Sequence, residues 1–183
     1  MFNMKVSAIL VTLLITFSIN NKVFSQARNS IGVGAGLNLP INNDYKVGRD
    51  RVIQANIFAR NKFALMPTLG IEDIKGKLRS DYSVGFLNLA AKYYATQRIF
   101  VFAGPSCYVG GNDGGVIGLG GTAGAGYDWA FDKYSSLEFS LRTDLLPSYF
   151  NISPLAGLRV AYKFNFSKKQ GKYRVPEEDD MLN

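Results

Sequence analysis

Charged side chains sit singly within apolar stretches of this sequence, where they could pair, line a path for ions or take part in acid–base chemistry. They comprise Arg60, Glu72, Lys92, Asp128, Glu138, Arg142, Asp144, Arg159 and Lys163. Basic and acidic members nearly balance, and a buried charge persists only when it is paired or hydrated. The sequence therefore predicts an internal network of ion pairs, in which Glu138 and Arg142 meet Arg159 and Lys163. A narrow polar conduction path is the alternative.

Signals for catalysis, cofactors or metal ions are weak. The chain has no histidine, which removes Ser-His and Cys-His pairs and the commonest ligand of transition metals. Gly32, Gly34 and Gly36 are spaced like a nucleotide-binding loop, but that motif needs a following helix and an alternating segment stands there instead. Residues 112–115 (NDGG) lack the carboxylates of a calcium loop and predict a turn. We expect no enzymatic activity, no cofactor and no metal.

The elements that would position the charges are strands, because apolar side chains alternate with small or polar ones at a period of two. Eight such segments lie near residues 30–40, 51–60, 63–72, 82–95, 98–109, 116–130, 135–145 and 154–166. The eighth is the clearest, since Leu158, Val160 and Tyr162 alternate with Arg159 and Lys163. The fifth is apolar on both faces, so its register stays open.

The connections alternate in length, which is typical of a transmembrane barrel. Short ones fall at residues 61–62, 95–98 and 131–134, and longer ones at 40–51, 72–82, 109–115 and 145–153. Strands of about 9–11 residues are long enough to cross a bilayer at a tilt. The sequence thus predicts an all-β fold, an eight-stranded antiparallel up-and-down transmembrane β-barrel, with both termini periplasmic and the longer loops outside.

The two faces of the strands favour a membrane barrel over a soluble one. The polar faces are rich in Gly, Ala and Ser with few charges, which suits the cramped interior of eight strands better than a solvated exterior. The apolar faces carry aromatic residues near one end of the strands. These are Tyr93, Tyr127, Trp129, Tyr162, Phe164 and Phe166. They predict an aromatic girdle at the periplasmic interface.

The N-terminal segment has the pattern of an export signal. Lys5 precedes an apolar run at residues 6–17, which is too short to span a bilayer, and cleavage is expected after Ser25. The expected division is residues 1–25 signal peptide, 26–166 barrel domain and 167–183 periplasmic C-terminal tail. Without the signal peptide, 19 basic residues face 14 acidic ones, a net charge of +5. That mild excess predicts no nucleic-acid partner.

These features resemble the outer membrane protein beta-barrel domain family, the porin-like and OmpA/OmpX-like eight-stranded barrels of Gram-negative bacteria. The resemblance covers about residues 26–166. It rests on the signal peptide and on three segments, GVGAGLNLP at 32–40, GGTAGAGYDW at 120–129 and AGLRVAYKFNF at 156–166. It implies insertion by the barrel-insertion machinery, which would read the alternating aromatic residues of the last strand.

The leading functional hypothesis is a monomeric, integral outer-membrane barrel with a structural, adhesion or surface-interaction role in the cell envelope. Its expected partners are outer-membrane lipid, lipopolysaccharide and the insertion machinery. A narrow porin-like channel for small solutes is the alternative, and a soluble periplasmic lipid-binding barrel is a further one.

Overall fold

The structure, a computed structural model, describes residues 29–41, 45–60, 62–77, 81–110, 115–148 and 154–166. The expected signal peptide at 1–25 and the expected tail at 167–183 lie outside the described residues. Eight strands occupy Asn29–Pro40 (β1), Gly48–Arg60 (β2), Phe63–Ile74 (β3), Tyr82–Tyr94 (β4), Ile99–Gly110 (β5), Val116–Ala130 (β6), Ser135–Leu145 (β7) and Leu155–Phe166 (β8).

The strands form a closed antiparallel barrel in which each strand pairs with the next along the chain. Closure is made by β8 and β1, whose pairing runs from Asn29 opposite Phe166 to Pro40 opposite Leu155. The predicted eight-stranded up-and-down barrel is therefore confirmed. Within the described residues, no helix is long and apolar enough to cross a membrane.

The two ends of the barrel differ in how the strands are joined. At one end, here called the turn end, residues 95–98 and 131–134 make short connections. β1 begins and β8 ends at this same end of the barrel. Thr96 accepts hydrogen bonds from the N–H groups of Arg98 and Ile99, and Asp132 closes the second turn in the same way. Such side-chain oxygens stabilise tight turns. The opposite end, the loop end, carries the longer connections.

Apolar side chains face outwards from the barrel and polar ones face inwards. Val33, Leu69 and Leu119 are 61%, 60% and 80% exposed, whereas Arg159 and Lys163 are 4% and 2% exposed. This distribution is the reverse of a water-soluble barrel and matches the faces that the alternation predicted.

The register of β5, which its sequence leaves open, is decided by packing against β6. Phe100 and Phe102 point inwards and lie opposite Gly126 and Gly124. A Cβ atom at Gly126 would come within 2.4 Å of the Phe100 ring, and one at Gly124 within 2.6 Å of the Phe102 ring. The inward glycines of β6 thus provide the space that these rings occupy.

Two hydrophobic clusters fill part of the interior. The one nearer the loop end comprises Tyr45, Val52, Ile74, Val84, Phe86, Tyr108, Leu146 and Leu155. The one nearer the turn end comprises Met66, Ala90, Tyr94, Phe100 and Phe102, with Phe58 packed against it. The interior is therefore a packed core, with its charged groups on the remaining walls.

Candidate functional site

The predicted internal charges fall into two buried clusters inside the barrel. Eight of the nine predicted side chains are described, and each is at most 5% exposed apart from that of Asp128, which is 13% exposed. The ninth residue, Arg60, ends β2, and its side chain lies outside the part of the chain that the structure describes.

The cluster nearer the loop end is organised by Arg142 on β7. Its Nη2 atom lies 2.6 Å from Glu72 Oε1 and 3.1 Å from Asp50 Oδ2, and its Nη1 atom binds Asp144. Arg159 on β8 donates from Nε to the same Asp50 oxygen at 2.7 Å. Because β7 and β3 are not neighbours in the barrel, the contact between Arg142 and Glu72 crosses the lumen.

The predicted pairing of the charges on β7 and β8 is corrected in this cluster. Arg142 does not pair directly with a charge on β8; it meets Arg159 through Asp50, which lies between the two guanidinium groups. Asp50 was missed because the second strand was predicted to begin at residue 51, whereas β2 begins at Gly48. The signal was present, since Asp50 continues the inward series of Val52 and Gln54.

The same cluster packs on an aromatic ring. The guanidinium carbons of Arg142 and Arg159 each lie 5.8 Å from the centre of the Phe86 ring. A ring face attracts cations, and more strongly where water is excluded. Asn38 accepts a further hydrogen bond from Arg142 at 2.9 Å. The two arginines are thus held by carboxylates, an amide and an aromatic face.

The cluster nearer the turn end is organised by Glu138 on β7. Its Oε2 atom lies 2.5 Å from Lys92 Nζ on β4 and 3.0 Å from Lys163 Nζ on β8, so the expected meeting of Glu138 with Lys163 is present. Lys163 also binds Asp128, and Gln54 donates to Glu138 Oε1 at 3.1 Å. The contact between Lys92 and Glu138 also crosses the lumen, since β4 and β7 are not neighbours.

Uncharged polar side chains separate the two hydrophobic clusters. Gln54, Thr68, Asn88 and Ser106 face one another across β2, β3, β4 and β5, and each is at most 2% exposed. We call these four residues the polar belt. Glu138 joins the belt through Gln54. The belt therefore extends the polar interior from the charged walls to the wall that carries the aromatic rings.

The six predicted girdle residues all lie on the outer surface towards the turn end. Three further aromatic residues join them: Phe63, Phe131 and Tyr134. Ring centres are 4.9 Å apart for Phe63 and Tyr93, 4.9 Å for Trp129 and Phe131, and 6.4 Å for Tyr134 and Phe164. Phe63 follows one short turn, and Phe131 and Tyr134 lie within another, so their position beside the strand ends was the signal available in the sequence. Whether this ring lies at a membrane interface stays a prediction.

Comparison with known proteins relates this barrel to a class of solved structures. No family model and no curated protein matches the sequence. Among solved structures, the outer membrane protein OprG of Pseudomonas aeruginosa is 11% identical over 78% of this chain and 98% of its own, with a TM-score of 0.51. The N-terminal β-barrel domain of OprF, from the same species, is 17% identical over 76% and 98%, with a TM-score of 0.50. The chain has the fold of the eight-stranded outer-membrane barrels.

A third match has a TM-score of 0.48. It is Ail, the attachment invasion locus protein of Yersinia pestis, 12% identical over 76% of this chain and 97% of its own. At these identities the comparisons show the outer-membrane barrel fold alone, so the function has to be argued from the site.

The polar groups in the described part of the barrel interior are arranged mainly as ion pairs. Within the described ranges, no group of three or more Cys, Asp or Glu side chains is placed to hold a metal ion. Each described lumen cation contacts at least one carboxylate. The arrangement can therefore bridge the walls and close the bore.

Replacing Glu138 with glutamine is expected to lower the free energy of unfolding by about 3 kcal/mol. Lys92 would lose the one carboxylate within ion-pair distance among the described residues, whereas Lys163 keeps Asp128. Urea titration in detergent micelles, followed by fluorescence of the single tryptophan, measures the change. In the double variant Lys92→Met/Glu138→Gln the loss should be smaller. An unchanged unfolding midpoint for Glu138→Gln would contradict a structural role for this cluster.

Proposed function

We propose that the chain is an integral protein of the outer membrane, with a closed barrel that serves a structural, adhesion or surface-interaction role and has no catalytic activity. The observation that carries the proposal is the combination of an apolar outer wall with an interior crossed by ion pairs. The shared fold with outer-membrane barrels supports it.

The outer wall supports membrane insertion. A soluble protein rarely exposes a contiguous apolar patch larger than a few hundred Å². Here large apolar residues are exposed on all eight strands, with Ile31, Ile53, Leu89 and Leu141 as examples at 47%, 55%, 48% and 65%. The soluble lipid-binding barrel is disfavoured, because such a barrel would place its apolar surface inside.

The interior supports a closed barrel over an open channel. Arg142 with Glu72, and Lys92 with Glu138, bridge non-adjacent strands at two levels. The hydrophobic clusters fill space beside both bridges. Eight strands leave an interior that side chains just fill, so a path for solutes would require these groups to move.

A narrow channel is the second candidate, and the polar belt is the observation that favours it. The side-chain oxygens of Thr68, Asn88 and Ser106 are buried and have no hydrogen-bond partner in the described part of the chain. Buried polar groups of this kind are usually satisfied by water. Together with the charge clusters, the belt could support a continuous file of water molecules through the barrel.

The proposed orientation places both termini in the periplasm and the loop end outside the cell. It is supported by the connection lengths, since transmembrane barrels have short periplasmic turns and longer external loops. Lipopolysaccharide would then surround the loop end. The insertion machinery would act on β8, whose outward residues Tyr162, Phe164 and Phe166 end the barrel.

Membrane fractionation and bilayer recording test the proposal together. We expect the protein in the outer-membrane fraction, migrating faster on a gel without heating than after heating, because the closed barrel resists detergent. Reconstituted in a planar bilayer beside a known porin as control, it should be electrically silent. Recovery of the protein from the soluble periplasm would contradict membrane insertion. Steady unitary conductance would contradict a closed barrel and support the channel.

A further inference from the structure

Two adjoining depressions mark the outer wall of the barrel near the loop end. The lower depression, which is the one nearer the turn end, has a volume of about 750 Å³ and an almost entirely apolar lining. Its walls include Val33, Ile53, Leu69, Leu87 and Val109, whose exposed fractions of 47–61% place them on the outer surface. It spans five neighbouring strands, β1 to β5, within the surface that faces lipid under the proposed function.

The floor of the lower depression is formed in part by glycine. Gly85 faces outwards between Ile71 and Val109, and a Cβ atom there would meet only the Val109 carbonyl oxygen, at 3.5 Å. The missing side chain therefore leaves open space on a wall otherwise covered by branched residues. A hydrocarbon chain can lie in such a space in contact with apolar atoms on several sides.

The upper depression adjoins the lower one and is basic. It has a volume of about 490 Å³, and its charged lining residues are Arg49, Asp50, Arg51 and Asp73, with Arg51 also lining the lower depression. Arg51 Nη2 lies 2.5 Å from Asp73 Oδ2, and Ser83 donates to the other carboxylate oxygen at 2.9 Å. Among the residues that the structure describes, no carboxylate lies within ion-pair distance of Arg49. Asp50 is 1% exposed and faces the lumen, where it binds Arg142 and Arg159. The outward charged side chains are therefore two arginines and one aspartate, a net positive charge.

We propose that these two depressions form a binding site for lipopolysaccharide, with an acyl chain in the lower depression and a lipid phosphate at Arg49 and Arg51. The site rests on the proposed function, which places the loop end in the outer leaflet. Arginine pairs with phosphate through two parallel N–H donors. A phosphate monoester carries up to two negative charges, so it suits two adjacent arginines better than a phosphodiester lipid.

The position of the site also selects a lipid as its occupant. The apolar depression is continuous with the outer wall, and a molecule that reaches it from the bilayer is a lipid. Arg51 is three residues into β2 from the loop end, so the basic patch lies about 10 Å along the strand from that edge. A headgroup at the membrane interface and a chain pointing towards the turn end would place phosphate and hydrocarbon where the two depressions lie.

The first arm of the test removes the basic patch. The protein is placed in phosphatidylcholine nanodiscs containing a small fraction of lipid A or of phosphatidylglycerol, and bound lipid is counted by native mass spectrometry. We expect one retained lipid A, and a roughly tenfold loss of affinity in Arg49→Gln/Arg51→Gln. The control Lys62→Gln/Lys133→Gln removes the same charge at the turn end and should bind normally.

The second arm fills the apolar depression without altering charge. Gly85→Leu places a side chain in the proposed position of the acyl chain and should also lower lipid A affinity about tenfold. The matched control is Gly121→Leu, an outward glycine on β6 whose added Cβ would meet only a carbonyl oxygen, at 3.6 Å. Heat-modifiable migration of each variant shows that it still folds.

The outcomes separate this site from the proposed function. Equal lipid A binding by wild type, the arginine variant and Gly85→Leu would overturn the site, as would equal retention of phosphatidylglycerol by the wild type. Labelling of Ser148→Cys and Gln97→Cys by an impermeant maleimide on intact cells, in a Cys107→Ser background, tests orientation. A folded outer-membrane protein labelled at position 148 that retains no lipid A refutes the site alone.

Discussion

Replacing Arg142 with methionine is expected to lower the free energy of unfolding by about 3–5 kcal/mol. The change would leave Glu72 and Asp144 buried without a cation within ion-pair distance among the described residues, while Asp50 keeps Arg159. An unpaired buried carboxylate costs more than the methionine gains by packing. Urea unfolding in detergent micelles, followed by tryptophan fluorescence and by gel migration, measures the loss.

An exposed arginine–carboxylate ion pair on the outer wall serves as the control. Arg51 is 71% exposed and binds Asp73 on the outer wall, and pairs of this kind contribute at most about 1 kcal/mol. Arg51→Met should therefore change the unfolding midpoint little. The triple variant Arg142→Met/Glu72→Gln/Asp144→Asn removes the orphaned charges and should regain part of the stability. Equal losses for Arg142→Met and Arg51→Met would show that the interior cluster is well hydrated.

Replacing Gly126 with valine is expected to lower the free energy of unfolding by about 3 kcal/mol and to prevent folding in a weakly stabilising detergent. An added Cβ atom would lie 2.4 Å from the Phe100 ring and 2.4 Å from the Phe139 carbonyl oxygen. The ring is buried and cannot turn away freely, since it packs against Tyr94 and Phe102. The folded fraction after refolding from urea, read from unheated gels, measures the effect.

A glycine on the same strand that faces outwards is the matched control. Gly121→Val places its side chain on the outer wall and should alter stability by less than about 1 kcal/mol. Phe100→Ala in the Gly126→Val background should recover part of the loss, because the carbonyl contact remains. Full folding of Gly126→Val alone would mean that the Phe100 ring and the Phe139 carbonyl can move aside at little cost.

Under the proposed function, the stability of the barrel and its closed state would depend on the same residues. Arg142 and Glu138 hold together strands that are not neighbours, and they do so across the space that a solute would need. Variants that weaken these contacts should therefore lower stability and raise conductance together. That coupling distinguishes a structural network from a pore lining that only tunes selectivity.

Much of the fold was predictable because apolar and polar side chains alternate along each strand of a membrane barrel, and this local pattern shows which face is outward. Leu158, Val160 and Tyr162 face outwards in the structure, and Arg159 and Lys163 face inwards, as their alternation predicted. The number of strands and the alternation of connection lengths followed from the same local pattern. None of these features requires knowledge of which strands meet.

The sequence predicted most of the residues of the candidate site, but it did not predict most of the ion pairs that they form. The side chain of Glu138 was expected inside, and its contact with Lys163 on the neighbouring strand could be inferred. Its contact with Lys92, three strands away, could not be, because that depends on how the closed barrel brings distant walls together. Asp50 was missed because the predicted second strand began at residue 51. The prediction therefore placed this carboxylate of the network in a loop.

What the sequence alone determined is which face of most strands meets lipid and which meets the lumen, since a pleated strand sends successive side chains to opposite sides. The fifth strand is the exception that shows the limit. Its two faces are both apolar, and Phe100 turned inwards only because Gly126 on the next strand left room for its ring. Tertiary structure decided that register, the cross-lumen partners of Arg142 and Glu138, and the outer depression above Gly85. Each depends on the distance between residues far apart in the chain, which strand pairing and closure of the barrel set.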